Sequence, residues 1–160
     1  MKTEHLTNGL FTDYYENGQI KTEGYYKDTK RTGKWIWWNE NGQKDSEIYY
    51  KDGKCDGKWT WWHDNGQKKL EGYYRNENRN GKWIYWYKNG QKDSEIYYKD
   101  GKCDGKWTWW HDNGQKKQEG NYIEDKWHGK WIFWDDNGEK KSSRYYQEGE
   151  LIVSSLLSFT

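Results

Sequence analysis

The chain has 160 residues, a size that suits one domain, and a formal charge of +1 at pH 7 from 27 Lys and Arg against 26 Asp and Glu. Aromatic residues make up 20% while all hydrophobic residues together reach 31%, which argues against a layered core of Leu, Ile and Val and against a disordered chain alike. Charge is balanced and interleaved, with no block of Lys and Arg, which speaks against a nucleic-acid or anionic-membrane binder driven by bulk electrostatics.

The N-terminal MKTEHLTNGLF has one Lys and no apolar run behind it, so no secretory leader is expected, and residues 1–8 read as a lead-in. From Gly9 onward the chain repeats. Asn-Gly pairs begin at Asn17, Asn41, Asn65, Asn89, Asn113 and Asn137, a period of 24 residues, and Gly-Lys-Trp triplets begin in the same step at Gly33, Gly57, Gly81, Gly105 and Gly129. A degenerate first copy, GLFTDYYENG, has Phe11 where later copies have Trp35, Trp59, Trp83, Trp107 and Trp131. Six copies thus cover about residues 9–148. The 29 residues from Asn41 to Lys69 recur unchanged from Asn89 to Lys117, so neighbouring copies were duplicated as a pair. That pairing explains why Thr60 and Thr108 alternate with Ile36, Ile84 and Ile132. A period in this range marks a repeat architecture.

Each copy predicts a β-hairpin. In the second, Trp35 to Asn39 forms one strand and Asp45 to Tyr50 the other, both rich in β-formers. Asn41-Gly42 predicts a two-residue type I′ turn between them, since both central residues of that turn need φ > 0. The stretch KDGKCDG then carries the chain as a loop into the next copy. This register sets Trp35 across from Ile48 and Trp38 across from Asp45. Trp35, Trp37, Ile48 and Tyr50 share one face, with Trp38, Glu47 and Tyr49 on the other. No helical stripe is visible. A lone hairpin is marginal in water, so the six must stack. The expectation is all-β: one repeat domain over residues 1–160, an elongated single-sheet meander of six antiparallel hairpins. Twelve strands at ~4.8 Å would extend roughly 55 Å. Residues 149–160 hold the only aliphatic-rich segment, LIVSSLLSF. It is far short of the ~20 residues that span a bilayer, and Leu151 to Phe159 is expected to pack back on the last hairpin as a cap.

The pattern G-K-W-x-W-W-x-x-N-G-Q-K-x-x-E-x-Y-Y, from Gly33 to Tyr50 and again from Gly57, Gly81 and Gly105, resembles the bacterial variant of the MORN repeat. The resemblance covers nearly the whole chain. It implies a meandering antiparallel sheet that acts as an interaction scaffold, and some bacterial members carry an antitoxin-like label. Departures lie at the ends: the first copy lacks Trp, and the sixth has Ser143 in place of Glu.

No side-chain constellation points to catalysis. The column Glu23, Glu47, Glu71, Glu95 and Glu119 is spaced about 9.6 Å per repeat, beyond the ~5–9.5 Å of a glycosidase pair, and is expected to form an ion-pair ladder with Lys. Cys55 and Cys103 fall in equivalent loop positions about 19 Å apart by the same spacing, too far for a disulfide. Cys55 and His63 lie at opposite ends of one strand. No metal site or cofactor is expected. Aromatic residues occupy the columns of Trp35, Trp38 and Tyr50 in every copy, which assigns them to packing. The column Trp37, Trp61, Tyr85, Trp109 and Phe133, with Asp13 at its head, tolerates change and is the candidate partner-binding stripe. The reading is a non-enzymatic, cytoplasmic protein-interaction scaffold, with an antitoxin- or immunity-like role as one form of it, a protein partner, no nucleic acid and no strong membrane signal. The alternative is a glycan or cell-wall module, because G-K-W-x-W-W before N-G is similar to choline-binding repeats, although their period is nearer 20.

Overall fold

The computed structural model describes residues 7–156, with side chains through residue 154, and every regular element among them is a β-strand. Two compact units divide at Asn78 and Arg79. The first holds β1 (Gly9–Tyr14), β2 (Ile20–Lys27), β3 (Lys30–Trp38), β4 (Lys44–Lys51), β5 (Lys54–Trp62) and β6 (Lys68–Arg75). The second holds β7 (Asn78–Trp86), β8 (Lys92–Lys99), β9 (Lys102–Trp110), β10 (Lys116–Ile123), β11 (Lys126–Trp134), β12 (Lys140–Gln147) and β13 (Glu150–Leu156). Within each unit the strands lie in chain order and pair antiparallel.

Two kinds of turn alternate, and their chemistry is the reverse of the sequence expectation. At Asn41-Gly42 only Gly42 has positive φ (79°). The Gly42 amide donates to the Asn39 carbonyl at 2.9 Å and the Asn39 amide to the Gln43 carbonyl at 2.8 Å. This is a three-residue loop, a type I turn closed by a glycine bulge. Asn41 is needed for its side chain, whose Oδ1 accepts from the Gln43 amide at 3.0 Å. Its counterparts also reach the next loop: Asn17 donates to the Glu40 carbonyl at 3.1 Å in the first unit, and Asn113 to that of Asp136 at 2.7 Å in the second. The type I′ turns sit at the other end of the strands. Asp52 (φ 51°) and Gly53 (85°) both have positive φ between the paired Lys51 and Lys54. The KDGKCDG stretch is therefore a tight turn followed by strand, and Cys55 and Cys103 lie in β5 and β9 rather than in loops.

The register confirms Trp35 opposite Ile48, with Trp37 opposite Ser46. A bulge then shifts it, so Trp38 faces Lys44 and not Asp45, because the glycine-closed loop takes up an extra residue. Ring contacts join Trp35, Trp37 and Tyr50 on one face, called here the tryptophan face. At the C-terminal end, β13 turns back on the last hairpin as an edge strand. It adds edgewise to β12 with Val153 opposite Tyr145, and Leu151, Ile152 and Val153 stay exposed. Residues 157–160, with Phe159 of the expected cap, lie outside the described residues, as do residues 1–6.

The core on the tryptophan face consists of indoles together with Leu70 and Ile96. Trp35, Trp83 and Trp131 are at most 1% exposed, whereas Trp59 and Trp107 in the intervening copies are half-buried. Packing thus follows two copies, 48 residues, rather than one.

Candidate functional site

Buried tryptophans are made possible by glycine. Gly24 on β2 falls in a bulge beside Trp35, and a Cβ there would sit inside the Trp35 indole; Gly120 stands in the same relation to Trp131. Above the ring lies a plate. The Arg31 guanidinium is 4.5 Å from the Trp35 ring centre and 5.5 Å from those of Trp37 and Tyr50, and it donates to the Tyr50 hydroxyl at 3.3 Å. In the second unit Arg79 covers Trp83 at 4.6 Å and donates to the hydroxyls of Tyr85 and Tyr98. Trp127 replaces the arginine over Trp131, stacked at 4.0 Å, and donates its indole N–H to the Tyr122 hydroxyl at 2.6 Å. Sequence reasoning missed these caps. The signal was present in the column Arg31, Cys55, Arg79, Cys103, Trp127, which alternates with the same two-copy period as Gly24, Ile48, Gly72, Ile96, Gly120.

The stripe Trp37, Trp61, Tyr85, Trp109 and Phe133 lies on this same face and is half-buried in every copy. Trp37 and Trp61 belong to the first unit, the other three to the second. Trp61 stacks on Trp59 at 6.5 Å, donates its N–H to Asp45 Oδ1 at 2.9 Å, and lies under the Lys69 ammonium at 4.6 Å. Trp109 repeats this with Trp107, Asp93 and Lys117. Phe133 lies under Arg144 at 4.9 Å. The rings are thus held by neighbours while remaining partly exposed to solvent.

The opposite face carries a tyrosine column. Tyr25, Tyr49 and Tyr73 in the first unit and Tyr97 and Tyr145 in the second are 37–55% exposed, with Asn121 in the fifth place. Beside it Glu47, Glu71, Glu95 and Glu119 are gripped by lysines, the ladder the spacing predicted, whereas Glu23 makes no such pair among the described residues. Lys58 and Lys68 reach Glu71 at 3.0 and 2.8 Å. Lys106 and Lys116 reach Glu119 at 3.0 and 2.9 Å. Burial pushes the Glu119 carboxyl up, but hydrogen bonds from Lys116 and Lys106 outweigh it and hold it below the ordinary range; Glu71 and Glu95 behave alike. Lysines scattered in the sequence therefore converge. In the second unit Lys82, Lys92, Lys106, Lys116, Lys130 and Lys140 share a face with Glu95 and Glu119. The sequence suggests no basic face, because strand alternation is what sorts its mixed charges.

Burial pushes the Cys103 thiol up, which keeps it protonated, although a hydrogen bond from Tyr98 pulls the other way. Among the described residues no three of His, Cys, Asp and Glu gather as a metal cluster, and no helix is long and apolar enough to cross a membrane.

A two-strand unit that recurs six times in register and displays side-chain columns on two faces defines a β-meander repeat protein. The family described as MORN repeat variant matches residues 7–28, 31–52, 56–76, 79–100, 104–124 and 127–148, and the chain belongs to that family. A search of curated proteins finds no match. Among solved structures, the chain is similar to part of the GtfA/B complex bound to UDP and GlcNAc (17% identity, TM-score 0.28, 74% of this chain and 23% of that one). It is also similar to part of accessory secretory protein 1, 2 and 3 of Streptococcus pneumoniae (12% identity, TM-score 0.25, 82% and 22%). The chain spans less than a quarter of either length, and overlays this loose carry no argument.

Proposed function

We propose that this chain is a non-enzymatic scaffold that grips a protein partner through the tryptophan face, with Trp37, Trp61, Tyr85, Trp109 and Phe133 as the contact stripe. The family supports a repeat-based interaction module. The observation that carries the finer reading is that these rings stay partly exposed while packed against neighbouring indoles, as with Trp61 on Trp59 and Trp109 beside Trp107. Rigid, half-exposed aromatics lose little entropy on binding and dominate interface energetics. Neutralising a toxic partner, in an antitoxin- or immunity-like role, is the biological form of this reading.

The test compares captured partners from the native host. Trp61→Ala with Trp109→Ala should remove the wild-type partner while the protein still melts cooperatively. Tyr49→Ala with Tyr97→Ala, on the other face, should leave capture intact. Loss in the tyrosine variant and retention in the tryptophan variant would overturn the assignment of the face.

A further inference from the structure

The sixth copy departs from the others at one position on the tyrosine face. In the second unit Lys82 and Lys92 hold Glu95 at 3.5 and 2.5 Å, and Lys106 and Lys116 hold Glu119. Lys58 and Lys68 hold Glu71 in the first unit. In the last copy the flanking lysines remain. Lys130 pairs with Tyr145 as Lys82 does with Tyr97, and Lys140 with Trp134 as Lys92 does with Trp86. Between them, opposite Ile132, stands Ser143 where Glu95 stands opposite Ile84. Neither Lys130 nor Lys140 makes an ion pair among the described residues; Lys130 lies 5.9 Å over the Tyr145 ring.

We propose that Lys130 and Lys140, which flank the position of Ser143, form a subsite for a carboxylate from an acidic segment of a protein partner. Three copies within the chain show which group such a pair of ammoniums accepts: a carboxylate, two lysine nitrogens within 2.5–3.5 Å of it. Serine shortens the side chain and removes the charge, so no internal carboxylate answers the two ammoniums. The surroundings favour a peptide over a polyphosphate. Tyr145 and Val153, opposite one another on β12 and β13 and both about half exposed, offer an apolar contact beside the charge. Lys130 also borders a hollow of about 210 Å³ where Asn121 replaces a tyrosine. The subsite lies on the face opposite the tryptophan stripe and stands independently of that assignment.

The probe is a fluorescein-labelled peptide of alternating Glu and Leu, followed by anisotropy at low salt and by amide chemical shifts. Wild type should bind it with shifts centred on Ser143 and Tyr145, and weaken as salt rises. Ser143→Glu supplies the internal carboxylate that the other copies carry, and should cost about tenfold or more in affinity while leaving the fold intact. Glu119→Ser opens the neighbouring clamp and should add a second binding site. The proposal fails if Ser143→Glu binds like wild type or if Glu119→Ser adds no site. It also fails if an oligothymidylate binds as tightly as the peptide with the same loss on Ser143→Glu, since the surface would then read polyanions.

Discussion

Trp35 and Trp59 hold the same place in consecutive copies of the first unit, with the same Gly-Lys before them and a tryptophan two residues after, yet one is wholly buried and the other half-buried. The difference lies in the neighbours. Trp35 rests on Gly24, whose missing side chain lets the indole lie on the backbone, and Arg31 closes over it. Trp59 has Ile48 on the preceding strand, where Trp35 has Gly24, and the residue in the place of Arg31 is the smaller Cys55. The second unit repeats the contrast with Trp131 on Gly120 under Trp127, against Trp107 opposite Ile96 with Cys103 above. Small beneath and large above is one solution to filling the space, and large beneath with small above is the other. Duplication of a pair of copies, visible as the identical 29-residue block, preserved both together.

The largest expected effect breaks the buried member. Trp35→Ala should cost about 3–5 kcal/mol, the usual range for a fully buried ring, and Trp59→Ala measurably less. Urea denaturation of the two variants checks the order; equal losses would mean that burial differs without energetic consequence.

Next in size is the glycine that allows the burial. Gly24→Ala places a methyl within the Trp35 indole and must displace ring or strand, an overpacking cost of about 1–3 kcal/mol. Tryptophan emission should shift to the red as Trp35 moves toward water. A variant with wild-type stability and emission would show that the bulge absorbs the methyl.

The smallest effect concerns the glutamate clamps, which the sixth copy lacks. Glu71, Glu95 and Glu119 have folded-state pKa values below their unfolded ones. An acid with a depressed folded pKa binds fewer protons when folded. Its stabilisation is complete above the unfolded value, about 4.3, and fades as pH falls through the lower folded value. Glu119→Gln should flatten the decline of melting temperature in that acid range, by lowering it slightly at neutral pH and leaving it nearly unchanged once the wild-type carboxyl is protonated. An unaltered acid slope would mean that the clamp contributes nothing, as many exposed ion pairs do.

What the amino-acid sequence determined by itself is what depends on local backbone and strand alternation. Six Asn-Gly pairs at one period located every three-residue loop, and alternation along Trp35 to Trp38 and Glu47 to Tyr50 assigned side chains to the correct faces. Turn type was misread at Asn41-Gly42 because a preferred dipeptide does not say how many residues the loop uses. The glycine bulge there then displaced Trp38 from Asp45 to Lys44. Only the tertiary structure decided burial and charge grouping. Gly24 lies beneath Trp35 through the bulged register of β2 and β3, and a lysine from the far end of each hairpin strand meets the same glutamate. Both relations join residues across neighbouring strands, so they are set by inter-strand register, which depends on bulges that no spacing along one strand discloses.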